Sequence, residues 1–128
     1  MTEADRGRPQ RIRLCRPPEL GLPAGVVSVV SPSRWANPYR PATRSRPASL
    51  VAVQHFVDYL GRNPRLVLQA RVELAGLDLA CWCAPFLPCH ADVWIAVVNQ
   101  TSDLEALDAL EAFEVTLPPL EATASYRR

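Results

Sequence analysis

Three thiols, an imidazole and a carboxylate crowd one short stretch of this chain: Cys81-Trp82-Cys83, a brief interval, then Cys89-His90-Ala91-Asp92. Cysteine sulfur and histidine nitrogen are preferred zinc donors, at about 2.0 to 2.3 Å in a four-ligand shell. Cys81, Cys83, Cys89 and His90 supply that number. In a strand, side chains alternate, so Cys81 and Cys83 project to one face and Trp82 to the other. Cys89 and His90 stand where a helix begins, and consecutive helical residues diverge by about 100°, so they compete for one ion. If His90 turns away, three sulfurs remain with a position open to water or substrate, which is the arrangement of a catalytic metal. Asp92, three positions after Cys89 on the same helix face, is placed to ligate, to orient His90 or to cap the first turn.

The same residues admit a reading without metal. Free N–H groups and the dipole of a helix N-terminus favour a thiolate, so Cys89 is a candidate nucleophile with His90 as its base and Asp92 beside it. A plainer reading makes Cys81 and Cys83 small core residues at a strand end and leaves His90 in a solvated first turn.

A second group lies in Ser31-Pro-Ser-Arg-Trp-Ala-Asn-Pro-Tyr-Arg-Pro41, a long irregular segment rich in arginine and aromatic residues. Open α/β domains bind ligands at the carboxyl ends of parallel strands. If the strands ending near Val30 and Cys83 are parallel, this loop and the cysteines share one rim and form one pocket. Arg34 or Arg40, with the helix start at Cys89, would hold an anionic group, Trp35 or Tyr39 would stack on a planar base, and Asn37 belongs to the same ligand set. Alternatively Trp35 anchors the loop on the core, and Arg40, Arg44 and Arg46 are simply solvated. His55 reads as a surface histidine, Cys15 as a strand residue and Trp94 as core.

The elements that position these groups follow from pattern. Arg11 to Cys15 alternates, and Gly25 to Val30 is a short β-branched run, so both are expected strands. Leu50, Val53, Phe56, Val57 and Leu60 recur at helical spacing, predicting a helix over Ala48 to Leu60 that stops at Gly61. Asn63-Pro64 caps and opens a second helix, Arg65 to Leu74, ended by Gly76. Leu77 to Cys83 reads as a strand, and a third helix starts near Pro88 or Cys89 and runs through Val98. Ser102-Asp-Leu-Glu105 is a capping box for a last helix with Leu104, Leu107, Leu110 and Phe113 on one stripe. The fold class expected is α/β: one small Rossmann-like domain over residues 11–117, with a short, mainly parallel sheet of about three strands flanked by helices. Residues 1–10 are expected to be flexible and 118–128 disordered.

With 128 residues, 48% of them hydrophobic, the chain can build a core without crosslinks. The formal net charge is +1, so the whole molecule has little pull on polyanions. Its charge is unevenly spread: residues 1–46 hold nine arginines against Glu3, Asp5 and Glu19, and residues 101–128 hold six acids against Arg127 and Arg128. The basic side chains are all arginine, a mark of a high-GC genome. No apolar run reaches the roughly 18 residues of a membrane span, and Met1 to Gln10 has no signal-peptide core. A cytoplasmic protein without membrane attachment is therefore expected, and there clustered cysteines point to metal or catalysis before disulfides.

Taken together, Ser33-Arg34-Trp35-Ala36-Asn37-Pro38-Tyr39 and, at a distance, Leu77-Asp-Leu-Ala-Cys-Trp-Cys83 with Pro88-Cys-His-Ala-Asp92 resemble a bacterial and phage family, domain of unknown function 4326. The likeness covers roughly residues 11–100, and it implies a small α/β domain with a Trp-Gly-Asn-Pro-type loop and a cysteine-rich segment. Ala36 stands where Gly is expected. Three functions compete: a zinc protein that binds or processes a nucleotide-like or other anionic small molecule, a metal-free cysteine enzyme, and a nucleic-acid or protein-binding module with a structural metal. No helix-turn-helix or finger pattern supports specific DNA reading.

Overall fold

A computed structural model describes residues 9–117. The expected flexible N-terminus up to residue 8 and the expected tail over 118–128 lie outside the described residues. Three short strands, β1 (Arg11–Arg13), β2 (Val26–Ser28) and β3 (Asp78–Cys81), form one sheet in the order β1-β3-β2. Both pairings are parallel, with Arg11 opposite Leu79 and Val27 opposite Leu79 across β3. Four helices follow: α1 (Arg46–Gly61), α2 (Pro64–Leu74), α3 (His90–Val98) and α4 (Asp103–Glu111). The expected short parallel sheet flanked by helices is the fold. Among the described residues no helix is long and apolar enough to cross a membrane.

The boundaries differ from the expected ones for local reasons. All three strands are shorter, and β3 stops at Cys81, so strand alternation governs Cys81 but not Cys83. α1 begins at Arg46, two residues early, because the Ser45 side chain accepts from Ala48 N–H and Pro47 lies in the first turn, where its missing N–H costs nothing. Asn63 occupies the N-cap position of α2 without capping it; its amide donates back to the Tyr59 carbonyl at 2.7 Å, tying the two helices. Gly76 has φ of 79°, a left-handed conformation that turns the chain from α2 into β3 at little steric cost. Ser102 caps α4 by accepting from Glu105 N–H. Leu104 does not join the buried stripe: it is exposed, and Ala106 and Leu110 are the residues that α4 buries.

α3 packs on β1, β3 and each of the other helices, so its apolar residues hold the centre. Val93, Trp94 and Val97 are fully buried against Phe56 and Leu60 of α1, Val67 and Leu74 of α2, and Leu79 of β3. Phe56 stands edge-on to Trp94 at 5.5 Å and to His90 at 5.3 Å, so one ring supports both the core and the start of α3. Phe56→Ala should therefore lower unfolding free energy by about 3–5 kcal/mol. Urea unfolding followed by tryptophan fluorescence measures it; a loss within experimental error of zero would show that Phe56 does not hold this junction.

Candidate functional site

The three cysteines arrive from three local structures. Cys81 is the last residue of β3, Cys83 follows in the turn, and Cys89 is the N-cap of α3, in extended conformation. The N-cap geometry turns the Cys89 sulfur toward the first helical turn, where it accepts from Ala91 N–H at 3.5 Å. Its thiol faces Cys81 Sγ at 3.2 Å, and the sulfurs of Cys81, Cys83 and Cys89 all lie within 4.8 Å of one another. No disulfide joins them. The expected pairing of Cys81 with Cys83 holds, extended to Cys89, although the turn and not the strand supplies Cys83.

The group titrates as a unit. Hydrogen bonds from Cys81 and Cys89, with smaller aid from His90 and then Arg11, hold Cys83 down to about 3 against the opposing effect of burial. Cys81 is pushed up to about 12, first by its hydrogen bond to Cys83 and further by burial. Burial, then its two sulfur neighbours, pushes Cys89 well above the ordinary thiol range. Ionisation is therefore most favourable at Cys83, where two neighbouring thiols can donate to the thiolate.

His90 is buried and lies outside the three-sulfur group. Its Nε2 is 2.7 Å from the Val29 carbonyl, which can only accept, so Nε2 carries the proton and Nδ1 is bare. That bare nitrogen is 3.8 Å from Cys89 Sγ. Burial lowers its pKa, with the Val29 bond opposing. Asp92 neither touches His90 by a hydrogen bond nor caps with its side chain; its carboxylate receives Arg11 Nη1 at 2.6 Å.

Arg11 is the residue that pattern reading missed. It is 4% exposed, and its guanidinium also donates to the carbonyls of Ala84 at 2.6 Å and Leu87 at 3.0 Å. Nothing in spacing links position 11 to position 92; the only signal was an arginine on the inward phase of a three-residue strand.

Beside the sulfurs opens a cavity of about 490 Å³. The Ser31–Pro41 loop forms one wall through Asn37, Tyr39 and Arg40, and Cys81, Trp82, Cys83, Cys89 and His90 form the other. β2 and β3 are parallel, so both segments leave the same sheet edge, as the shared-rim expectation required. Among the described residues no aspartate or glutamate lines this cavity. Asn37 has a structural duty there, donating to the Ala52 carbonyl at 3.1 Å and accepting from Tyr39 N–H at 2.9 Å.

Arg34 and Trp35 lie elsewhere. Arg34 pairs with Glu73 and sits over the Trp35 ring at 4.4 Å. Trp35 is buried edge-on to Trp94, and its carbonyl accepts from Trp94 Nε1 at 2.9 Å, so it anchors the loop on the core. Trp82, placed by alternation away from the thiols, is half exposed and lines the same cavity because the strand has ended before it. Arg46 donates to the Phe86 carbonyl at 2.7 Å, bridging α1 to the cysteine turn. His55 is exposed, 5.3 Å from the Tyr39 ring, and Cys15 is exposed beyond β1.

A family model described as Domain of unknown function (DUF4326) matches residues 3–100. No curated protein and no solved structure matches the chain.

The position of the His90 proton is directly measurable. Long-range ¹H–¹⁵N correlation should show the Nε2–H tautomer, with a titration midpoint below the ordinary histidine value of 6.5. The neutral Nδ1–H tautomer would contradict the Val29 contact, and a midpoint above 6.5 would show that burial does not dominate the site.

Proposed function

The chain belongs to the DUF4326 family, and for it we propose a zinc site made by Cys81, Cys83 and Cys89, with a fourth position open to a pocket that takes a small anionic, nucleotide-like molecule. The single observation that carries the reading is three sulfurs within 4.8 Å of one another at a cavity wall. Zinc–sulfur bonds of about 2.3 Å in a tetrahedron put sulfurs roughly 3.8 Å apart. The 3.2 Å separation of Cys81 and Cys89 and the 4.8 Å limit bracket that value. Thiolate donors favour soft and borderline ions, and zinc fits three sulfurs with an imidazole beside them.

His90 holds the site from outside: its Nε2–H bond to Val29 fixes the ring, as hydrogen-bonded supports do around metal ligands. Bound there, zinc would supply a Lewis acid at the pocket floor. Arg40, exposed at the rim, would take the anionic group, and Tyr39 and Trp82 would flank a planar ring. In this reading the ligand contacts assigned to Arg34 and Trp35 pass to Arg40, Tyr39 and Trp82.

Metal binding requires thiolates, and the hydrogen bonds of Cys81 and Cys89 already favour that form at Cys83. Zinc uptake at neutral pH should release about two protons, from Cys81 and Cys89. Protein purified without an affinity tag should hold close to one equivalent of zinc, lost in Cys81→Ser and Cys89→Ser and kept in His90→Gln. Elemental analysis decides: wild type below about a third of an equivalent would sink the site, and loss in His90→Gln would convert it to a closed four-ligand centre. For the pocket, Arg40→Ala should weaken adenosine 5′-monophosphate binding about tenfold by calorimetry. Equal affinity would remove Arg40 from the ligand site.

One observation favours a second reading: Cys83 is half-buried and lines the cavity, with its thiolate form favoured by its sulfur neighbours, whereas Cys89 is 2% exposed. A metal-free nucleophile would thus be Cys83 and not Cys89. Iodoacetamide labelling of zinc-free protein at pH 6, read by peptide mass spectrometry, should then modify Cys83 first; Cys89 reacting faster would end this version.

A further inference from the structure

We propose that Arg11 is the positioning residue of the sulfur cluster, clamping both ends of the cysteine segment from the neighbouring strand and holding a buried positive charge against the metal–thiolate group. The inference rests on the zinc reading and names the part of the chain that sets the affinity of that site.

The geometry of the clamp is specific. β1 and β3 are parallel neighbours, with Arg11 opposite Leu79 and Arg13 opposite Cys81. From there the Arg11 side chain runs inward and is 4% exposed. Three of its acceptors bracket the ligands: Ala84 directly follows Cys83, Leu87 comes two residues before Cys89, and Asp92 lies in the first turn of α3, of which Cys89 is the cap. One guanidinium therefore fixes the turn that carries Cys83 and the helix that carries Cys89. Its planar fork serves several acceptors in fixed directions, which a lysine ammonium on a flexible stem does not reproduce.

Charge supplies the second half of the argument. Zinc on three thiolates bears a net negative charge, and a buried uncompensated charge is strongly unfavourable. Cys81, Cys83 and Cys89 all act electrostatically on Arg11, so its cation lies within their field. Asp92 takes part of that charge and aims the fork, and its own side chain reaches solvent at 43% exposure.

The test uses the full chain, with zinc affinity measured by competition against a chromophoric chelator and the sulfur-to-cobalt charge-transfer band recorded on Co(II)-substituted protein. Arg11→Met should lose affinity by about 10- to 100-fold and shift or weaken the cobalt band. Arg11→Lys keeps the charge without the fork and should recover part of the affinity with a band still altered. Asp92→Asn should fall between Arg11→Lys and wild type. Circular dichroism monitors the fold; if Arg11→Met fails to fold, Arg11→Lys carries the decision. Wild-type affinity and an unchanged band in whichever of these variants folds would overturn the proposal while leaving the zinc site standing. A wild-type protein that binds neither zinc nor cobalt would overturn the zinc reading itself, and the clamp with it.

Discussion

Everything at this site depends on β3 lying between two parallel partners. A central parallel strand must send its chain out at the same edge as its neighbours, and here that edge receives the Ser31–Pro41 loop after β2 and the cysteine turn after β3. The remaining strand, β1, contributes a side chain in place of a loop: Arg11, which reaches under the turn. Antiparallel pairing of any one strand would carry its segment to the opposite edge and dismantle the cluster. The strands are only three or four residues long, too short to be stable alone. α3 packing on β1 and β3 supplies the missing burial, and the helix that stabilises the sheet is the one that Cys89 caps.

Much of this was legible in the sequence because it is local. Each helix carried its own period and each strand its β-branched or alternating run, and Ser102 announced its cap three residues ahead of Glu105. The three sulfurs were close in sequence and are close in space. What could not be read was directional or long-range. Strand β3 ends at Cys81, so alternation gave the wrong face for Trp82 and the right face for Cys83 through a turn it did not foresee. Trp35 and Arg34 sit in the motif that resembles a ligand loop, yet Trp94 and Glu73, 59 and 39 residues away, claim them. Arg11 and Asp92 are 81 residues apart, and only the parallel register of β1 with β3 brings them together.

The loop motif and the cysteine motif thus have different physical natures. Ser33 to Tyr39 is chiefly a structural device: Ser33 accepts from Trp35 N–H, Trp35 is pinned in the core, and Asn37 closes on Ala52 and Tyr39. Its effect is to present Tyr39 and Arg40 on the cavity wall. The cysteine segment is the reverse, a set of reactive groups whose own backbone is short of regular structure between Cys81 and Cys89 and is held by distant side chains, Arg11 to Ala84 and Leu87, and Arg46 to Phe86.

That division explains the electrostatics. Three thiols packed in a fold cannot all ionise, because each added charge is buried next to the last. Ionisation is favoured at Cys83, the member nearest solvent, where Cys81 and Cys89 can act as donors. His90, neutral with its proton turned to Val29, adds no charge and leaves a bare nitrogen toward the sulfurs. The arrangement is unfavourable to further ionisation by itself and becomes favourable once a divalent cation occupies the centre, since one such ion offsets two of the three negative charges and Arg11 lies in the field of the remainder. Three cysteines that could hold a metal ion thus have a buried guanidinium, brought from another strand, within their electrostatic reach.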